Sequence, residues 1–112
     1  MLTFKVGYAT IRLRGVSHVE ANNQDMLGRF SWQEAEILIR NNIPPALQAS
    51  VLVHELIHAC FAVYNLQRTK LTEEDVCSLL DGPITALFTD NPELEPLLRD
   101  ATIYSVPLLE CP

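Results

Sequence analysis

Residues 51–66 read VLVHELIHACFAVYNL. Within them, HELIH sets His54 and His58 four residues apart, with Glu55 directly after the first. Leu47, Val51, His54, His58 and Phe61 recur at spacings of three and four. That period predicts a helix from about Pro45 to Tyr64, with both histidines on the stripe that faces the interior. Pro44 and Pro45 suit its start, because the backbone N–H that proline lacks is unpaired in a first helical turn anyway.

Working outward, the chain before this helix has strand character. Leu2–Val16 is rich in Val, Ile, Phe, Tyr and Thr, with Gly7 and Gly15 as turn or bulge points. Ser17–Asp25 is polar and turn-prone, with Asn22 and Asn23 at its tip. From Gln33 to Ile39 the residues alternate, with Gln33, Ala35, Ile37 and Ile39 on one face, which predicts a half-buried strand. After the helix, Thr72-Glu73-Glu74-Asp75 has the form of a capping box with Thr72 as cap. The helix it opens has an apolar side of Val76, Leu79, Leu80, Ile84 and Leu87, and Pro83 is expected to kink or split it. Asn91-Pro92 is expected to start a short third helix through Leu98, and residues 99–112 read as a loose tail.

At 112 residues the chain is long enough for one domain, residues 1–112, with a single modest core. Hydrophobic residues make up 48% and charged ones 20%, an ordinary globular balance. A net charge of −6 with scattered cations disfavours nucleic acid as a partner. The apolar run around Val51–Val63 is broken by charge and histidine, so no membrane span is expected there, and the N-terminus lacks the pattern of a secretion signal. Three cysteines (Cys60, Cys77 and Cys111) share no CxxC spacing, so reduced thiols in a cytoplasmic setting are expected.

Residues four apart on a helix share a face, so His54 and His58 can present ring nitrogens to one ion. Zinc takes such ligands at about 2.0–2.1 Å in a tetrahedral shell. Glu55 lies about 100° round the helix from His54, beside the ion instead of on it. From there it can take a proton from a metal-bound water that attacks a carbonyl, and pass it to the leaving amine. Buried histidines without a partner would be costly, which favours a metal site over an accidental motif. No histidine follows His58, and the spacing HExxHxxGxxH is not met, so the third ligand is sought among downstream acids. Glu73 shares a face with Val76 and Leu80 and is favoured; Glu74 and then Asp81 are the alternatives. Acids in a first turn also favour the helix dipole with no metal near.

The order of these parts resembles small phage- and prophage-encoded metallopeptidases of the zincin group, related to the ImmA/IrrE-like family. The resemblance runs over about Gln33–Leu98: the strand EAEILIRNN, the proline turn IPPALQAS, the helix VLVHELIHA, then Glu73-Glu74-Asp75-Val76, and lastly FTDNPEL. Val76-Cys77 stands where the ImmA/IrrE pattern has Ala-Asn, and the third histidine of SprT-like proteins has no counterpart. The resemblance implies a zincin-like minimal α+β domain: a small antiparallel sheet packed on the HExxH helix, with a second helix completing the metal site. It implies a gluzincin-type zinc metallopeptidase that cuts a protein or peptide, in the cytoplasm of the bacterial host if phage-encoded. His54 and His58 would be ligands, Glu55 the base, and Glu73 or Glu74 the third ligand. The Trp32–Arg40 strand would form the sheet edge beside the cleft, where an extended peptide can pair. Tyr64, Tyr104 and His18 are candidate oxyanion donors. The rival reading is a zinc-binding structural or adaptor domain without turnover.

Overall fold

The computed structural model describes residues 2–21, 24–66 and 70–99. Strands β1 (Leu2–Val6) and β2 (Ala9–Val16) form a hairpin, β3 (Val19–Ala21) and β4 (Gln24–Met26) a second, and β5 (Gly28–Ser31) and β6 (Glu36–Arg40) a third. Helices α1 (Pro45–Val63), α2 (Glu73–Asp90) and α3 (Leu94–Arg99) follow. The fold is a small α+β domain on a four-stranded sheet of order β1-β2-β6-β5, with β3–β4 as a separate ribbon.

That order corrects the expected antiparallel sheet, because β2 and β6 run parallel, with Leu13 level with Ile37 and Gly15 level with Ile39. The cause is the route of the chain. It leaves β2 through the β3–β4 ribbon, enters the sheet at β5, and turns back into the space between β5 and β2. The inner position suits β6, whose Ile37 and Ile39 are fully buried against the helices. Its other face carries Glu36, itself buried and bound by Arg14 at 2.7 Å, with Arg12 at 3.7 Å.

The alternation of Ile37 and Ile39 with Glu36 and Leu38 holds, but the strand begins three residues later than Gln33. Residues 32–35 form a turn instead, closed by the Ala35 N–H donating to the Trp32 carbonyl, with Ala35 in the left-handed region. Consequently β6 is not the edge. The sheet edges are β1 and β5, and the edge expected at Trp32–Arg40 falls at Gly28–Ser31. Gly7, with φ of +58°, makes the β1–β2 turn, where a side chain would press on Val63 and Tyr64. Gly15 lies inside β2 and makes no turn.

Helix α1 starts at Pro45 as expected, with Pro44 at its cap. Its buried face is Gln48, Val51, Leu52, Glu55, Leu56, Ala59, Cys60 and Val63. That face meets Phe4, Val6, Ile11, Leu13, Ile37 and Ile39 of the sheet, and with Leu87, Leu94 and Leu97 they form one core. The expectation that both histidines lie on the buried stripe is therefore corrected: His54 and His58 are exposed, as is Leu47. Apolar residues stand on most sides of α1, including exposed Val53, so spacing alone did not select the inner face. At 19 residues α1 is also long and apolar enough by composition to cross a bilayer, a test that a packed core helix meets as well. Here one face of it, from Gln48 to Val63, is packed on the sheet.

The capping box of α2 is present: Thr72 Oγ1 accepts from the Asp75 N–H at 3.1 Å, and Asp75 accepts from the Thr72 N–H at 3.0 Å. These bonds, backbone first, hold the Asp75 carboxyl below its ordinary range. Pro83 does not split the helix, which is continuous from Glu73 to Asp90. It removes the rung to the Leu79 carbonyl, but Leu80, Ile84 and Leu87 on either side of it pack on the core and hold both halves in line.

Asn91 ends α2 instead of starting α3. Its Oδ1 accepts from the Lys5 N–H at 2.7 Å, and its Nδ2 donates to the carbonyls of Lys5 and Leu87 at 2.8 Å each. One buried side chain thus covers the outer edge of β1 and ties it to the end of α2. Asn91→Ala is expected to cost about 2 kcal/mol or more, through lost bonds and buried groups left unpaired. Urea denaturation checks this, as a lower midpoint at unchanged slope.

Candidate active site

Glu55 marks where the sheet edge and α1 meet. The Arg40 N–H donates to the Leu27 carbonyl at 2.9 Å. In an antiparallel pair such rungs alternate, so the N–H and C=O of Gly28 and Phe30 point away from β6. The Phe30 N–H donates to the Glu55 carboxylate. Gly28 permits the close approach: a Cβ there would lie 2.5 Å from Val51 Cγ1 and 3.5 Å from Glu55 Cγ. An isolated glycine at a strand end is the sequence signal for such an approach, and Gly28 was not singled out by it.

The Glu55 side chain is buried, and its carboxyl is pushed above its ordinary range. Loss of water contact is the main cause, opposed in turn by His58, His54 and the Phe30 N–H. One residue earlier and three later, the two imidazoles stand edge to face, with centroids 4.8 Å apart and Nε2 atoms 3.2 Å apart. Two nitrogens at that distance need either a proton shared between them or a cation against both. Zinc–nitrogen bonds of about 2.0–2.1 Å in a tetrahedron place ligand nitrogens about 3.3–3.4 Å apart. The pair therefore fits two corners of a zinc shell.

These side chains line a cleft of about 710 Å³. Along α1 and just past its end the wall is His54, Glu55, His58, Phe61, Ala62 and Asn65; the rest of the lining is Met26, Gly28, Arg29, Phe30 and Trp32. Of the residues expected at the site, His54, Glu55 and His58 come together. Glu73 and Glu74 are exposed in the first turn of α2 and do not line the cleft, and Asp81 borders a separate depression with Gly82 and Thr85. Among the described residues, no three His, Cys, Asp or Glu side chains are grouped to hold an ion.

The candidate oxyanion donors fall elsewhere. His18 lies in the open between Glu20 (3.6 Å) and Asp25 (3.3 Å), Tyr64 packs at Gly7, and Tyr104 lies outside the described residues. Cys60 is sealed in the core, where burial pushes its thiol up to about 11, so it packs and does not ligate. The aromatic wall of Phe30, Trp32 and Phe61 was not foreseen as part of a site, since its members lie in three separate elements. Comparison with protein-family models, with curated proteins and with solved structures finds no match.

Proposed function

We propose that the protein is a zinc-dependent peptidase with Glu55 as its general base. The observation that carries this reading is a buried carboxylate held beside two converging imidazole nitrogens, in a cleft bordered by a sheet edge. His54 and His58 would hold the ion through Nε2. When bound, zinc supplies Lewis acidity that polarises a carbonyl and acidifies water.

The chain's own groups do the rest. A carboxyl whose pKa is raised by burial is a stronger base than an exposed one, and the Phe30 N–H fixes its direction. Glu55 takes a proton from the water that attacks the scissile carbonyl carbon. As the carbon–nitrogen bond breaks, it returns that proton to the departing amine. The outward carbonyls of Gly28 and Phe30 lie along the cleft, where an extended peptide can add to β5. The resemblance of the chain supports a protein or peptide substrate met in a bacterial cytoplasm.

The rival reading is a zinc-binding structural or adaptor domain, whose closed shell would need protein ligands beyond the two histidines that converge among the described residues. One experiment separates the two: zinc content and cleavage of unfolded proteins by the parent, His54→Ala and Glu55→Gln. A peptidase loses both with His54→Ala and only cleavage with Glu55→Gln. A structural domain cleaves nothing and unfolds when zinc is stripped.

A further inference from the structure

The cleft has two chemically different ends, and their order along α1 is fixed by contacts. At the start of β5, Gly28 abuts Val51 and Glu55; at its far end the chain reaches Trp32. Trp32 stands edge-on to Tyr8, whose neighbour Gly7 lies against Val63 and Tyr64 at the end of α1. Phe30 stacks on Trp32 with centroids 6.4 Å apart, and Phe61 lines the same stretch one turn beyond His58. One turn is about 5.4 Å along the helix, close to two residues of an extended peptide. Trp32 is 44% exposed and Tyr8 80%, so this aromatic surface is open to a ligand.

We propose that this end of the cleft is a subsite for a large apolar side chain, aromatic above all, of an extended peptide substrate. The subsite rests on the peptidase reading for its register: it receives a residue one or two places before the bond that Glu55 addresses. The direction follows from pairing. A peptide laid antiparallel on β5 runs opposite to Gly28→Ser31, so the part nearest Trp32 is the part preceding the scissile bond. Ala62, a small residue, lines the same wall as Phe61.

Trp32 is the single tryptophan of the chain, so its fluorescence reports occupancy without turnover. The experiment titrates zinc-loaded Glu55→Gln protein with blocked alanine hexapeptides carrying Phe or Ala at one position. The Phe peptides are expected to saturate the signal, with affinity about 10-fold or more above the all-Ala peptide. Ala62→Phe, which fills the cleft, is expected to erase the difference. Equal affinities, or a difference that survives Ala62→Phe, overturn the subsite. Cleavage mapping with the parent protein is expected to show bulky apolar residues before the cut, and their confinement to positions after it overturns the assigned direction. Phe-selective binding without Glu55-dependent cleavage defeats the peptidase reading and upholds the pocket. Glu55-dependent cleavage with no apolar preference defeats the subsite alone.

Discussion

Glu55→Gln is expected to lower kcat/KM for peptide cleavage by about 10²–10⁴-fold, the range for loss of a positioned general base. Zinc content should be unchanged, because Glu55 stands beside the histidine nitrogens and is not needed to hold the ion. The amide keeps the volume of the side chain, and its oxygen can still accept from the Phe30 N–H, so the cleft should keep its shape. The same substitution should raise the melting temperature of the metal-free protein at neutral pH. The folded chain holds Glu55 above its ordinary 4.5, so in the window between those values the native state binds more protons than the unfolded state. Stability contributed by the protonated form is present below 4.5 and is lost as pH rises through the folded value. Gln carries no such loss. Its advantage should therefore be greatest near neutrality and fade in acid. Steady-state kinetics, zinc analysis and melting curves of the stripped protein at two pH values check the three parts. Undiminished cleavage would remove Glu55 as base, and a lower melting temperature at neutral pH would show that its ionised form is not penalised by burial.

Gly28→Ala is expected to harm both fold and site. The new methyl would lie 2.5 Å from Val51 Cγ1 and 3.1 Å from the Leu38 carbonyl oxygen. Neither yields easily: Val51 is buried in the core, and the oxygen belongs to the backbone of β6. Overpacking of this kind costs about 1–3 kcal/mol. Each kcal/mol corresponds to a fall of about 4–8 °C in Tm for a domain near this size. Relief requires β5 to move off α1, which carries the Phe30 N–H away from Glu55 and misdirects the base. Activity should then fall at temperatures where the variant is still folded. Val51→Ala removes the offending methyl, so the double variant should melt above the sum expected from the two single ones. Melting curves and cleavage rates of the four proteins form the cycle. An unchanged melting temperature in Gly28→Ala would contradict the close contact of strand and helix.

Local signals were the legible part of this chain. Helix α1 begins at its prolines, Thr72 and Asp75 close a capping box, and Gly7 makes a hairpin turn, because each depends on residues within four positions of one another. The placement of β6 between β2 and β5 was not legible, since alternation marks a strand but does not name its neighbours. Nor was β5 foreseen as the edge: four residues reading GRFS carry little strand character. On α1 the spacing marked the helix but not its inner face, because apolar residues surround the histidines. The buried partner proved to be Glu55, and the imidazoles face the cleft. Glu73 was favoured on facing direction alone, yet it is exposed, and α2 meets the core only further along, at Leu80, Ile84 and Leu87.

The central claim is that His54 and His58 together hold a zinc ion beside Glu55. It is tested most directly by crystals of the zinc-loaded protein measured on both sides of the zinc absorption edge. A single anomalous peak about 2.0–2.1 Å from Nε2 of both histidines is the predicted result. No peak there, or a peak held by other residues while the two imidazoles stay bonded to each other, would contradict it.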